Sequence, residues 1–388
     1  MISYGRQSIS PEDIDAVVRV LRTDLITQGP FVEKFEQQLG RKFGSRYAIA
    51  VANGTAALHL SGLALGWQKG DIVITSPLTF VATANAVIYA GATPDFTDIE
   101  PNHLTIDPNR LEEKVRNYAK KGKKVKAVIG VDFAGHPCDW ESLASLAKEY
   151  EFQLVNDQSH ALGACYKSQE TYAVKYADIA TSSFHPVKLM TTGEGGVIFT
   201  NDSDLAERVA TLRTHGISKG AKSEAGAQDP WWYEMRDLGF NYRLTDFQSA
   251  LGISQLRRLD QFIEKRKRIA QQYDQMLSKF KSISRPRVRG DSQHAYHLYV
   301  IELDFKEIPI NRKDLFEVFE NEGIRLQVHY IPVHFHPYYQ ENFGFRRGQY
   351  PVAEAVYENM VSLPIYVDLE DADVEMTVEK LSEYCRLE

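Results

Sequence analysis

The stretch Ser183-Phe184-His185-Pro186-Val187-Lys188, continued by Thr192-Gly193-Glu194-Gly195-Gly196, decides the fold. Residues 179–183 form a short apolar run leading into it, and residues 196–201 form another after it. Both have strand length, and the glycine-rich turn between them puts Lys188 at a strand end. Working outward, residues 47–52, 71–76, 93–98, 126–133 and 152–158 are strand candidates of the same kind. Several are apolar nearly throughout, as strands buried on both faces are. Helical periodicity fills 55–65, 81–90 and 140–149. Gly66 and Gly91 stand just past the first two, where a glycine readily closes a helix. Strands alternating with helices predict an α/β fold: a mostly parallel, doubly wound, seven-stranded sheet. Its functional loops should gather at the carboxyl ends of the strands.

The second half has a different rhythm. Leu259, Phe262, Ile263, Ile269, Ala270, Tyr273, Leu277 and Phe280 recur at helical spacing and predict one long amphipathic helix over 258–280. The basic run Lys265-Arg266-Lys267-Arg268 is expected on its solvated face. An alternating strand over 297–303, a helix over 313–322 closed by Gly323, and a strand over 324–330 read as a smaller C-terminal α+β domain. The 388 residues thus divide into a large domain, 1–255, and a small one, 256–388, joined by the long helix.

An apolar content of 43% and a charged content of 25% allow an ordinary core with no disulfide or metal staple. A net charge of -7 argues against a nucleic-acid partner. Cys138, Cys165 and Cys385 are scattered without CxxC spacing, which fits free thiols in a reducing compartment. No apolar run approaches the roughly 18 residues of a membrane span. The opening Met1-Ile2-Ser3-Tyr4-Gly5-Arg6 lacks the apolar core of a signal segment. A cytoplasmic location and no membrane partner are expected.

Most lysines are solvated surface groups, and Lys188 alone would be read so. Its place between a buried strand and a Gly-Glu-Gly-Gly turn changes the reading, because burial there disfavours the ammonium form and leaves a nucleophilic amine. Asp157 ends another apolar strand, where alone it would be a turn residue. A carboxylate at one strand end and a lysine at a later one suit pyridoxal 5'-phosphate. The amine can join the aldehyde, and the carboxylate can keep the pyridine nitrogen protonated. The segment Ala52-Asn53-Gly54-Thr55-Ala56 reads as strand, turn and helix start, with free N–H groups for a phosphate. Gly54 permits close approach, and Thr55 and Ser183 offer hydroxyls. A plain helix cap is the alternative. Phe80, also at a strand end, suits stacking on a flat ring or core packing. Asn241 precedes a helix start marked by the capping-box pair Thr245 and Gln248, and has no evident structural duty. His329, His334 and His336 lack the spacing of a metal site and read better as a substrate-binding loop.

Taken together, these residues resemble the DegT/DnrJ/EryC1/StrS family of sugar-nucleotide aminotransferases, with the fold-type-I pyridoxal phosphate architecture. The resemblance rests on ordered pieces along the chain: Thr27-Gln28-Gly29-Pro30, then 53–60, 183–196, 239–252 and 327–332. It implies that Lys188 bonds the cofactor, Asp157 pairs with the ring nitrogen, Phe80 stacks on the ring, and Thr55, Ala56 and Ser183 hold the phosphate. It implies a homodimer in which Asn241 reaches the neighbour's phosphate. Tyr4, the segment Asp24-Leu25-Ile26-Thr27, and Gln327, Val328, His329 and Tyr330 would line the nucleotide-sugar site. Residues 4–9, 79–86 and 327–330 point further to members that aminate C4 of a UDP-linked 4-keto sugar with L-glutamate. One departure is visible: the family's Glu-Asp-Ala-Ser/Ala-His reads Asn156-Asp157-Gln158-Ser159-His160 here. The aspartate is kept, and the hydrogen bonding around it is expected to differ. Dehydratases of this architecture replace the lysine with histidine, so Lys188 argues against that chemistry. A non-catalytic binding protein would have no use for the Lys188–Asp157 pair.

Overall fold

The computed structural model describes residues 1–218 and 231–387. Its centre is a sheet of β1 (Tyr47–Val51), β2 (Ile72–Thr75), β3 (Thr93–Phe96), β4 (Val125–Val131), β5 (Gln153–Asp157), β6 (Ile179–Ser183) and β7 (Gly196–Thr200). The order across it is β1-β7-β6-β5-β4-β2-β3. β7 runs antiparallel to both neighbours, and every other pair is parallel. The mostly parallel seven-stranded sheet expected from the strand–helix alternation is therefore present.

After α1 (Pro11–Leu21), helices cover both faces of the sheet, which is why several of these strands read as unbroken apolar runs. On one face, α3 (Gly54–Ala64) and α4 (Val81–Tyr89) contribute Ala57, Leu60 and Val87 to a core with Val73, Ile129, Val155 and Ile198. On the other, α2 (Pro30–Phe43) and α5 (Trp140–Tyr150) contribute Phe35, Leu39 and Trp140 to a core with Val128, Leu154 and Phe199.

The long helix, α6, spans Asp246–Leu277 and starts well before the expected residue 258. Its capping box of Thr245 and Gln248 is formed, and Ala250, Ile253 and Leu256 extend the buried stripe upstream. The first half packs in the core of Phe35 and Leu154, the second half in that of Ile301 and Leu363. Residue 255 therefore lies inside a continuous helix. Arg266 corrects the reading of the basic run. Lys265 and Arg268 are exposed, but Arg266 falls on the inward stripe and is 1% exposed. Its Nη1 donates to the carbonyls of Tyr296, His297 and Ile365 at 3.1, 3.2 and 3.1 Å. Without such acceptors a buried guanidinium would cost several kcal/mol.

The C-terminal part forms a second, antiparallel sheet of β8 (Ile283–Ser284), β9 (Tyr299–Leu303) and β10 (Met360–Leu363). It is flanked by α7 (Arg312–Asn321) and α8 (Asp371–Cys385). The expected strand over 324–330 is absent. Ile324 makes one bridge to Ile2 and Gln327 one to Ser362, so this segment touches two different partners without a ladder. The strand position is filled by Met360–Leu363, four buried residues too short to show a period.

Candidate active site

The carboxyl ends of β5 and β6, the start of α3 and the loop carrying Lys188 surround a cavity of about 420 Å³, within the usual range for small-molecule sites. Lys188 and Asp157 both line it, as do Tyr4, His329 and Tyr330 from outside the large sheet. Burial pushes the Lys188 amine down to about 8, while the Asp157 carboxylate pulls the other way. Asp157 is held from two sides: Thr83 Oγ1 donates to Oδ2 at 2.8 Å, and the Ser159 N–H donates to Oδ1 at 3.2 Å. Thr79 and Thr83 share a hydroxyl hydrogen bond at 2.9 Å. A hydrogen bond to a charged group contributes about 1.5–3 kcal/mol, enough to fix the carboxylate's direction. Above the pair sits a set of neutral imidazoles. Burial first, then the nearby Lys188 charge, holds His160 and His297 well below their ordinary value and His329 at about 3. His160 Nδ1 accepts the Ala134 N–H at 3.2 Å, so its Nε2 carries the proton and donates to the Tyr330 hydroxyl at 2.9 Å. That leaves the Tyr330 O–H to donate into the cavity. A larger cavity, about 500 Å³, lies elsewhere. Of its two lysines, Lys114 is paired with Asp95 at 2.7 Å and Lys121 is exposed, so it offers no buried, unpaired amine.

Helix α3 begins at the cavity wall. Asn53 is its N-cap, and the Asn53 Oδ1 accepts the Ala56 N–H at 2.8 Å. Among the described residues, the N–H groups of Gly54 and Thr55 have no acceptor, and both residues line the cavity, as a helix start that binds a phosphate would. Ser183 closes the cradle from β6. A Cβ added at Gly54 would lie 2.8 Å from the Ser183 Cβ, so only glycine lets the helix start and the hydroxyl approach this closely. Phe80 is 54% exposed, its ring toward the cavity and 5.8 Å from that of Tyr330.

The DegT/DnrJ/EryC1/StrS aminotransferase family model matches residues 7–382. The chain belongs to this family. A Campylobacter jejuni protein, UDP-4-amino-4,6-dideoxy-N-acetyl-beta-L-altrosamine transaminase, is 37% identical over 381 residues, covering 98% of this chain and 96% of that one. The spore coat polysaccharide biosynthesis protein SpsC of Bacillus subtilis is 37% identical over 379 residues, covering 97% and 95%. Among solved structures, Helicobacter pylori PseC, an aminotransferase involved in pseudoaminic acid biosynthesis, superposes with a TM-score of 0.90 at 30% identity, covering 99% of each chain.

For a DegT/DnrJ/EryC1/StrS aminotransferase, the single chain gathers some of the expected residues and leaves others apart. Lys188, Asp157, Gly54, Thr55, Ser183, Phe80, Tyr4, His329 and Tyr330 meet at one cavity. Ala56 lies just behind its wall with its N–H spent on Asn53. Val328 sits instead against the apolar cluster of Phe133 and Val333, outside the cavity lining. Gln327 is exposed and paired through its backbone to Ser362. Asn241 and the whole of 24–27 are exposed and lie outside the cavity of their own chain. His334 is buried on Glu354 at 3.0 Å, away from the cavity. Sequence reasoning missed Thr83, Thr79, His297 and the role of His160. Thr83 sits on a helix read only for its apolar period and Thr79 in the loop before it, and nothing local tells which turn faces Asp157.

Proposed function

We propose that the protein is a pyridoxal 5'-phosphate-dependent aminotransferase that moves the amino group of L-glutamate to C4 of a UDP-linked 4-keto-6-deoxy-N-acetylhexosamine. The specific acceptor in this reading is UDP-4-keto-6-deoxy-N-acetyl-L-altrosamine, as in pseudaminic acid biosynthesis. The observation that carries the chemistry is the juxtaposition of a half-buried lysine, its amine pushed down to about 8, with a carboxylate fixed by two donors in one cavity. The C. jejuni relative, near-complete in coverage and named for the 4-amino UDP-sugar that amination of this acceptor would give, supports the acceptor.

The residues fit the cofactor. The open N–H groups of α3 and the Ser183 hydroxyl match a phosphate, and the glycine that lets them approach leaves no Cβ in the way. Asp157 matches a protonated ring nitrogen, Phe80 a flat ring face, and Lys188 an aldehyde. When bound, pyridoxal phosphate supplies the carbonyl that carries nitrogen between substrates and a ring that takes up carbanion charge. This chain supplies the rest. Asp157 holds the proton on the ring nitrogen, and Thr83 and Ser159 keep the carboxylate aimed. Lys188 Nζ would take the proton from the donor's α-carbon and pass it to the carbon on the far side of the nitrogen, the cofactor's former aldehyde carbon. In the second half-reaction it moves the proton back, so one cavity serves glutamate and sugar in turn. The Nε2 of neutral His329 and the Tyr330 hydroxyl, which His160 orients, offer hydrogen bonds without charge, which suits sugar hydroxyls. Asn241 belongs to the same reading as a group offered across the interface of a homodimer to the neighbour's phosphate. The division into 1–255 and 256–388 and a cytoplasmic location, supported by three free buried cysteines, complete it.

The test is product analysis after incubation with L-glutamate and a set of acceptors: UDP-4-keto, dTDP-4-keto and 3-keto sugars. The expected product is the 4-amino UDP-sugar. Amination of a dTDP- or 3-keto sugar alone would replace the acceptor while keeping the chemistry. No 2-oxoglutarate with any acceptor would leave a non-catalytic binding protein as the reading.

A further inference from the structure

The first turn of α6 ties together segments that lie outside the Lys188 cavity. Asp246, its first residue, is fully buried. Its Oδ2 accepts the Gly29 N–H and its Oδ1 the Phe31 N–H, each at 2.8 Å. Its own N–H donates to the Ile26 carbonyl at 3.0 Å. One residue thus fastens the loop before α2 on both sides. It also caps α2, whose N-cap, Gly29, has no side chain to do so. A carboxylate at this junction complements the positive ends of two helices. Gln248, in the same turn, donates to the Glu194 carbonyl at 2.7 Å, and Glu194 lines the Lys188 cavity. Asn241 lies just upstream of the turn. Three separate stretches therefore meet at one helix start: 24–31, the Asn241 strap and the turn after Lys188.

We propose that Asp246 is a positioning residue for nucleotide binding, locking the 24–27 segment to the Asn241 strap so that a second copy of the chain presents both to the neighbouring cavity as one unit. The proposal rests on the nucleotide-sugar reading above. Asp246→Asn keeps the size but replaces one acceptor oxygen with an NH₂ that faces a backbone N–H. Gly29→Ala keeps the carboxylate and perturbs the same junction from the other side. The new methyl would lie 2.9 Å from Asp246 Oδ1 and 3.1 Å from the Leu25 Cβ, while a φ of -98° suits alanine.

The experiment measures UDP binding to the cofactor-loaded protein by calorimetry, with the rate of the glutamate half-reaction read on the same samples. Both variants are expected to bind UDP about tenfold more weakly, the loss typical of one charged hydrogen bond, with the glutamate rate within about twofold of the parent. A UDP affinity unchanged in either folded variant overturns the proposal, and so does an equal loss of both properties. A parent protein that completes the glutamate half-reaction but does not bind UDP overturns the nucleotide assignment and this inference with it. A parent protein that lacks the half-reaction overturns the aminotransferase reading itself.

Discussion

The Lys188 cavity and the edge formed by 24–27 and Asn241 are built on opposite plans. The cavity gathers Lys188 and Asp157 within one chain, and the Asp157 carboxylate is held there by Thr83 and the Ser159 N–H. The edge is exposed, with Leu25 53% and Ile26 46% open to solvent, and the residues on it touch nothing they were expected to serve. Yet it is anchored from beneath by a fully buried carboxylate. Rigid but bare is how a surface looks when its counterpart is a second molecule. On the proposed reading the contrast separates two tasks: proton transfer needs one copy, while holding the phosphate and the nucleotide calls on two.

The sharpest way to break this division is to remove the proton carrier. Lys188→Ala should abolish the glutamate half-reaction, a loss of at least about 10³-fold, with the far-ultraviolet dichroism unchanged. Stopped-flow absorbance would check it, and normal turnover would refute the division outright. Asn241→Ala tests the shared side. It should weaken cofactor affinity by about 10- to 100-fold, the range for a hydrogen bond to a charged group. Mixing it with Lys188→Ala should restore activity, because one kind of hybrid site then carries both intact residues. No recovery on mixing would return Asn241 to its own chain. Thr83→Val removes one of the two donors to Asp157 without opening space. An approximately tenfold fall in the glutamate rate is expected, with UDP affinity unmoved. The smallest effect is a pH dependence. An amine titrating at about 8 is neutral above that value and protonated below it. Capture of added cofactor by the apo-protein should therefore rise about threefold between pH 7.5 and 8.5 and level off above. A midpoint near an ordinary lysine value would show that burial does not tune Lys188.

What the sequence disclosed follows the same line. Lys188, Asp157 and the start of α3 were legible because each sits where a local pattern changes, at a strand end or a helix start, and such boundaries are written in neighbouring residues. Thr83 was not, since its meeting with Asp157 depends on how α4 lies against β5. Arg266 was misread for a related reason: charge predicts exposure, but its helical register with Phe262, Ile269 and Tyr273 places it inward, and the three carbonyls that satisfy it come from distant loops. The expected strand over 324–330 failed because alternation is a statement about one segment. Pairing requires a continuous partner, which Met360–Leu363 took. Asp246 read as part of a helix start, and its three bonds to 26–31 are long-range facts.

The most direct test of the account is the visible spectrum of the cofactor-loaded protein, recorded before and after L-glutamate in the absence of sugar. The account predicts a band from cofactor joined to Lys188 that is lost on adding glutamate, with 2-oxoglutarate released in equal amount. The band should return when a UDP-4-keto sugar is supplied. A spectrum with no such band at saturating cofactor, or a band indifferent to glutamate, would contradict it.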